Sequence, residues 1–143
     1  MDVFTPRKRS RLMASIRSTK NRTTELRLIF IFRKASIVGW RRRYPLFGRP
    51  DFVFPRAKLA IFVDGCFWHG CPRCYRAPRS SKTYWNAKLS RNKARDLIVS
   101  RHLRSKGWRV LRVWECRLER PALFLRQIAK ILDEEKKDRH LSY

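Results

Sequence analysis

Acidic residues are scarce in this sequence, and features that would direct the chain to a membrane are absent from it. Asp and Glu total 11 against 36 Lys and Arg in 143 residues, which gives a net charge of +25. No apolar run approaches the roughly 18 residues of a membrane span. The N-terminal MDVFTPRKRSRLM has no apolar stretch of the secretory kind. We therefore expect a cytoplasmic, nucleoid-associated protein, in a compartment where clustered cysteines more often bind metal than form disulfides.

The sequence also has no internal repeat, low-complexity segment or linker, so we expect a single domain over residues 1–143. Within it, residues 1–20 form a basic N-terminal segment and residues 133–143 a charged tail. A hydrophobic content of 43% is enough to build a core. A folded domain this basic indicates a polyanionic partner, and nucleic acid fits because binding to phosphates releases condensed counterions. An anionic membrane surface is the alternative, but no helix separates its basic and apolar faces cleanly.

Hydrophobic periodicity and turn residues predict helices and strands in a mixed order. The predicted helices are Pro6 to Arg17, Glu25 to Ala35 (apolar on most sides and therefore largely buried), Thr83 to Lys106 with a possible break near Ser90, and one that starts at Pro121. The predicted strands are Gly39 to Tyr44, Asp51 to Phe54, Leu59 to Val63 and Trp108 to Trp114. This order indicates an α/β or α+β layer architecture with a mixed sheet.

Three of the four cysteines lie in the segment DGCFWHGCPRC, residues 64–74. The spacing Cys66-x4-Cys71-x2-Cys74 offers three thiolates, and Cys116 offers a fourth after a long excursion. Structural zinc takes four tetrahedral Cys or His ligands, and a C-x2-C step is a common half-site. We therefore predict a structural Zn²⁺ site at these four residues. Buried free cysteines and a disulfide are the alternatives.

Two carboxylates and a histidine lie near the predicted strand ends. Asp51 begins one strand, Asp64 follows the next, and His69 lies five residues further on. Carboxylate oxygens suit Mg²⁺, which also binds substrate phosphate, and a neutral imidazole can accept a proton from an attacking water. Alternatively, Asp51 caps a turn, Asp64 closes a strand and His69 binds zinc. The spacing alone does not decide between these interpretations.

Five segments, in this order, resemble the very short patch repair endonucleases, bacterial enzymes that nick DNA at T:G mismatches. They are RSRLMASIRSTKNRTTE, FGRPDFVFP, IFVDGCFWHGCPRC, YWNAKLSRNKARD and GWRVLRVWEC. The resemblance runs from about Arg9 to Cys116, and GRPD followed by GCFWH is its most specific part. It implies a restriction-endonuclease-like core, a central mixed sheet flanked by helices.

The resemblance also implies roles for individual residues. Asp51 matches a Mg²⁺-binding carboxylate, the backbone carbonyl of Val63 a second metal contact, and His69 the general base. Further positions match supporting acidic residues (Glu25 and Asp96), aromatic residues that insert into the duplex (Phe67, Trp68 and Trp85) and zinc ligands (Cys66, Cys71, Cys74 and Cys116). Core packing is the alternative for each aromatic residue.

This chain departs from the family pattern at two places. Some members have His at the position of Cys71, and others have Thr-His where this chain has Val63-Asp64. The second change leaves a backbone carbonyl contact intact. It leaves open whether Asp64 is a further metal ligand.

The implied function is hydrolysis of one DNA strand 5′ to the thymine of a T:G mismatch, with Mg²⁺ as the catalytic ion. Basic residues of the 1–20 segment would contact phosphates. We expect a monomer that acts on mismatched double-stranded DNA, with mismatch-repair proteins as possible partners. Two alternatives are an endonuclease with another structured or sequence-defined target, and a zinc-stapled DNA-binding module without catalysis.

Overall fold

The structure is a computed structural model, and it describes residues 24–66, 71–74 and 81–141. The chain divides into two compact units, Met1–Ser36 and Ile37–Tyr143, and each is described by itself. The predicted helix from Pro6 to Arg17 and the 1–20 segment lie outside the described residues. The single-domain organisation stays a prediction.

Within the first unit, residues 24–34 form helix α1, which confirms the predicted helix to within one residue at each end. Leu28 and Phe32, one turn apart, are fully buried. Leu26 and Phe30 are 57% and 65% exposed. The expectation that α1 is apolar and buried on most sides is therefore wrong for these two residues, which lie on the opposite side of the helix.

Four strands of the second unit form one mixed sheet in the order β1-β2-β3-β4. They are β1 (Arg41–Arg42), β2 (Phe52–Phe54), β3 (Leu59–Asp64) and β4 (Arg109–Trp114). The first three strands are antiparallel neighbours, whereas β3 and β4 are parallel. The predicted mixed α+β class is confirmed. The first strand is much shorter than predicted, since only two of its residues pair with β2.

The continuous apolar run of β3 explains its central position, because a strand with neighbours on both sides is buried on both faces. Leu59, Ala60 and Ile61 are fully buried. A tight turn joins β2 to β3, with the Lys58 N–H donating to the Pro55 carbonyl at 3.2 Å. The face of the sheet that carries Ala60 packs against the helix that follows β3. Together they form a core cluster of Val53, Ala60, Phe62, Val99 and Leu103.

Helix α2 (Lys82–Ser105) connects β3 to β4 and runs unbroken through Ser90, so the possible break there is absent. Gly107 follows two residues after its last helical residue, and its φ of +86° suits a residue without a Cβ. The Gly107 N–H donates to the Arg104 carbonyl at 3.1 Å and the Trp108 N–H to the Leu103 carbonyl at 3.0 Å. This pair of bonds is a Schellman motif, and it confirms Gly107 as the helix stop.

A 3₁₀-helix (Glu115–Glu119) and helix α3 (Ala122–Leu141) complete the second unit. The Pro121 carbonyl accepts from the Leu125 N–H at 2.9 Å, so Pro121 immediately precedes the helix rather than beginning it. Helix α3 continues to Leu141 and includes most of the predicted charged tail, where Arg139 pairs with Glu135 one turn earlier. Among the helices described, none combines the length and apolarity of a membrane span.

Candidate active site and cysteine cluster

Asp51 lies just before β2 and reaches across to the end of β3. Its backbone N–H donates to the Ile61 carbonyl at 3.0 Å. Its carboxylate Oδ2 accepts from the backbone N–H of Val63 at 2.7 Å. The antiparallel pairing of β2 with β3 produces this contact, because it sets the start of one strand against the end of the other. Asp51 and Val63, both predicted metal contacts, are therefore neighbours.

Asp64 and Asp96 are brought together by Arg112, a residue that the sequence analysis did not single out. Arg112 Nη1 lies 2.9 Å from Asp64 Oδ1 and 3.6 Å from Asp96 Oδ1. Asp64 ends β3, Asp96 lies on α2 and Arg112 lies on β4, so the three meet between the sheet and the helix. Val110 and Arg112 lie two positions apart on β4 and therefore on one face of the sheet, and this alternation was the available signal.

The four cysteine thiols form one compact group, which we call the cysteine cluster (Cys66, Cys71, Cys74 and Cys116). Their Sγ atoms all lie within 4.8 Å of one another. Cys71 and Cys116 Sγ are 3.9 Å apart, far longer than the S–S bond of about 2.05 Å. Tetrahedral zinc with Zn–S bonds of about 2.3 Å sets its sulfurs about 3.8 Å apart. The donor set and its spacing therefore fit a four-thiolate metal site.

Strand pairing positions the two distant members of the cluster. The parallel register of β3 and β4 pairs Asp64 with Trp114. Cys66 and Cys116 each follow that pair by two residues, so both lie beyond the same edge of the sheet. The Cys71 N–H donates to the Cys66 carbonyl at 3.0 Å, which brings Cys71 next to the residue that follows the strand end.

The thiols of the cluster differ in acidity. Burial raises the pKa of the Cys66 thiol to about 12, and burial also raises the pKa of Cys116. Burial acts in the same direction on Cys71, but hydrogen bonds from the backbone N–H groups of Cys74 and Arg73, together with the neighbouring thiols, lower its pKa below the ordinary value. Amide N–H groups directed at one sulfur stabilise a thiolate there, which is the ionisation state that binds metal.

Trp85 lies near the start of α2 and is only 8% exposed. Tyr84 packs edge-on against it with ring centroids 5.2 Å apart and is itself 46% exposed. The Lys88 ammonium lies 5.8 Å from the centre of the Trp85 ring. Insertion of Trp85 into DNA stays a prediction, and it requires the ring to leave this packed position.

Four further predicted residues lie outside this arrangement as described. Phe67, Trp68 and His69 are not among the described residues, and Glu25 lies on α1 in the first unit, half-buried. Their roles stay predictions. The described part of the chain does supply basic surface, since α2 exposes many cationic side chains: Lys82, Arg91, Lys93, Arg95, Arg101 and Arg104.

A mixed sheet with carboxylates at its strand ends, on a strongly basic chain, is typical of a nuclease. The family model described as DNA mismatch endonuclease Vsr matches residues 1–76. A type II nicking enzyme, V.XorIIP of Xanthomonas oryzae pv. oryzae (strain KACC10331 / KXO85), is 38% identical over 137 residues, which cover 92% of this chain and 97% of that protein. The chain therefore belongs to the DNA mismatch endonuclease Vsr family, and it is a DNA endonuclease.

Two other relatives show how the similarity is distributed. DNA mismatch endonuclease Vsr of Escherichia coli (strain K12) is 36% identical over 119 residues, 82% of this chain and 75% of that protein. Type II nicking enzyme V.NaeI of Lentzea aerocolonigenes is 54% identical, but over 67 residues that span 47% of this chain and 40% of that protein. The family resemblance expected from GRPD, GCFWH and the neighbouring motifs is confirmed.

Proposed function

We propose that this endonuclease nicks one strand of duplex DNA 5′ to the thymine of a T:G mismatch, in Mg²⁺-dependent hydrolysis within very short patch repair. The observation that carries the proposal is the hydrogen bond between the Asp51 carboxylate and the Val63 N–H at 2.7 Å. It holds the carboxylate of the GRPD segment against the end of the strand that precedes GCFWH in the sequence. The relative in Escherichia coli, which carries the name DNA mismatch endonuclease Vsr, supports the choice of a mismatched duplex as substrate.

The residues beside Asp51 fit a hard divalent cation. In an extended strand the N–H and C=O of one residue point to the same side, because hydrogen-bonded partners exchange both bonds. The Val63 carbonyl is therefore directed toward the side where Asp51 lies, and it offers a second oxygen ligand beside the carboxylate. When bound there, Mg²⁺ supplies electrostatic stabilisation of the charge that develops on the phosphate.

Proton transfer and substrate choice fall to other side chains in this proposal. His69 accepts a proton from the attacking water, and Glu25 keeps its expected role as a supporting acidic residue. Phe67, Trp68 and Trp85 enter the duplex beside the mismatch, where unstacking costs less than at a paired step. Exposed Arg and Lys of α2 hold phosphates, together with the Arg and Lys of the 1–20 segment, which supplies affinity without sequence information.

Zinc in this proposal braces the fold and takes no part in the reaction. Four thiolates fill a tetrahedral coordination shell and leave no position for water or substrate. The cysteine cluster joins the loop after β3 to the residues after β4. It thereby stabilises the sheet edge that carries Val63 and Asp64.

A nicking assay tests the proposal. End-labelled duplexes that differ only in T:G against C:G are incubated with the protein and Mg²⁺, and the nick is mapped on each strand. We expect cleavage of the thymine strand of the mismatched duplex alone. Asp51→Asn should lower the rate by about a hundredfold or more, whereas Asp133→Asn, the same change on the exposed surface of α3, should leave it unchanged. Equal cleavage of both duplexes would refute mismatch selection, and full activity of Asp51→Asn would refute the metal site.

A second candidate is nicking at a defined sequence in fully paired DNA. It is favoured by relatives that carry the name type II nicking enzyme, among them V.XorIIP and V.HpaIIP. The same assay separates the two functions, because this candidate requires cleavage of the C:G duplex or of another fully paired sequence.

A further inference from the structure

Arg112 uses its whole guanidinium group to join β4, β3 and α2. Nη1 donates to Asp64 Oδ1 at 2.9 Å, and Nε donates to the Ser100 hydroxyl oxygen at 3.0 Å. Nη2 donates to the backbone carbonyl of Asp96 at 3.2 Å. A lysine ammonium in the same place has neither this fork nor this reach, so the arrangement is specific to arginine.

The group is largely withdrawn from solvent. The Asp64 side chain is 10% exposed and that of Arg112 is 22% exposed. The guanidinium carbon lies 4.2 Å from the centre of the Phe62 ring, which covers one of its faces. Coulomb attraction is strong where water is excluded, and a buried charge that loses its partner is strongly disfavoured. Asp64 is therefore held by a charge-assisted bond that solvent screens only weakly.

The position of Nη1 matters for the site beside it. Nη1 lies 2.9 Å from Oδ1 of Asp64 and 3.6 Å from Oδ1 of Asp96, where a cation bound by both carboxylates would lie. Asp64 is bonded in the chain to Val63, whose N–H is held by Asp51. Val63 is thus held through its backbone N–H by Asp51, and Asp64, the next residue, is held through its side chain by Arg112.

We propose that Arg112 is a positioning residue for the divalent-metal site at Asp51 and Val63. It supplies the positive charge between Asp64 and Asp96, and through Asp64 it fixes the end of β3 that presents the Val63 carbonyl. Asp64 and Asp96 then support the site without binding the ion themselves. This inference rests on the proposed function for the location of the ion, and it adds the residue that orients that location.

Direct binding of Mn²⁺ to the zinc-loaded protein, followed by electron paramagnetic resonance, tests the inference without DNA. The part of the bound-Mn²⁺ signal that is lost in Asp51→Asn identifies the ion at Asp51 and Val63. We expect Arg112→Met to weaken that binding by about 10- to 100-fold, the range for partners that orient metal ligands, with no change in the number of ions bound. Arg112→Lys keeps the charge and should recover part of the loss. Arg109→Met is the matched control on the same strand, because its ion pair with Glu134 is about half exposed.

Two outcomes overturn the inference: Mn²⁺ affinity unchanged in Arg112→Met, or an additional ion bound once the guanidinium is gone. The double variant Asp64→Asn with Arg112→Met removes both charges and protects the test against misfolding of the single variant. If Arg112 acts through Asp64, the double variant binds Mn²⁺ as weakly as the weaker single variant. Losses that multiply indicate an independent role and refute the proposed route.

Nicking assays distinguish a failure of the positioning role of Arg112 from a failure of the proposed function. If the wild-type protein does not nick T:G duplexes yet Arg112→Met weakens Mn²⁺ binding, the activity is refuted and the positioning role stands. If the wild type nicks and Arg112→Met shows wild-type Mn²⁺ affinity, the positioning role is refuted and the activity stands. In an active protein, Arg112→Met should raise the Mg²⁺ concentration for half-maximal nicking, with the DNA affinity of the zinc-loaded protein, measured without added Mg²⁺, unchanged.

Discussion

Replacing Gly48 with alanine tests how closely the turn before β2 packs against α2. Gly48 has a φ of +82°, and a Cβ at this position would lie 2.3 Å from Cγ1 of Val99 and 3.1 Å from Cγ2. Val99 is 7% exposed and belongs to the core cluster with Phe62 and Leu103. Because a valine side chain is stiff at χ1, it cannot turn away without displacing its neighbours. The alanine must therefore move the turn or the helix.

Two costs add at Gly48. The left-handed conformation costs alanine about 1–2 kcal/mol, and forcing a methyl into a packed core costs about 1–3 kcal/mol. Alanine also restricts the unfolded chain more than glycine does, and this offsets about 0.4–1 kcal/mol of the destabilisation. We expect Gly48→Ala to lower the free energy of unfolding by about 1–4 kcal/mol. Gly39 is the matched control, because it has a φ of +92° and no atom within 4 Å of an added Cβ.

Urea unfolding of single and double variants separates the clash from the backbone strain. Val99→Ala removes the two methyl groups that the new Cβ would meet, so Gly48→Ala combined with Val99→Ala should be less destabilised than the sum of the singles by about 1–3 kcal/mol. Gly39→Ala combined with Val99→Ala should be additive within about 0.5 kcal/mol. Additive losses at Gly48 would refute the steric argument, and the turn would then be able to move freely.

Two further predictions concern the metal and the DNA. Cys116→Ser should reduce the zinc content from about one ion per chain and lower the melting temperature. A chelator should lower the melting temperature of the wild type in the same way but change that of the variant little. A wild-type protein that contains no zinc would contradict the site. Arg95→Gln should reduce the slope of the logarithm of the DNA-binding constant against the logarithm of salt concentration by about 1. Arg126→Gln on α3 is the control and should leave that slope unchanged. An unchanged slope for Arg95→Gln would show that α2 is not part of the DNA-binding surface.

Local signals predicted the elements whose structure depends on local chemistry. The apolar run of β3, the glycine that ends α2 and the C-x2-C step each have one dominant structural interpretation. The end of α3 was missed because its last turns carry charges rather than apolar residues. Those turns are joined by pairs such as Glu135 with Arg139, which periodicity of apolar residues does not detect.

The sequence offered candidate site residues one by one, and it gave no signal for the contacts that connect them. Asp64 and Asp96 are 32 positions apart in the sequence, and only the packing of α2 on the sheet brings both to Arg112. An arginine in an alternating strand is ordinarily interpreted as solvent-exposed. Its burial depends on Phe62 and Ser100, which lie on other elements. Tertiary partners of this kind are outside the reach of spacing arguments.

The parallel alignment of β3 with β4 has a consequence for how the protein attains its native state. A slip of one residue between the strands would shift Cys116 by about 3.3 Å and turn its side chain to the opposite face. The four sulfurs could then no longer surround one ion. Since an ion that binds the native arrangement alone stabilises it over competitors, zinc would select the correct strand alignment, and folding in its presence should yield fewer misaligned chains.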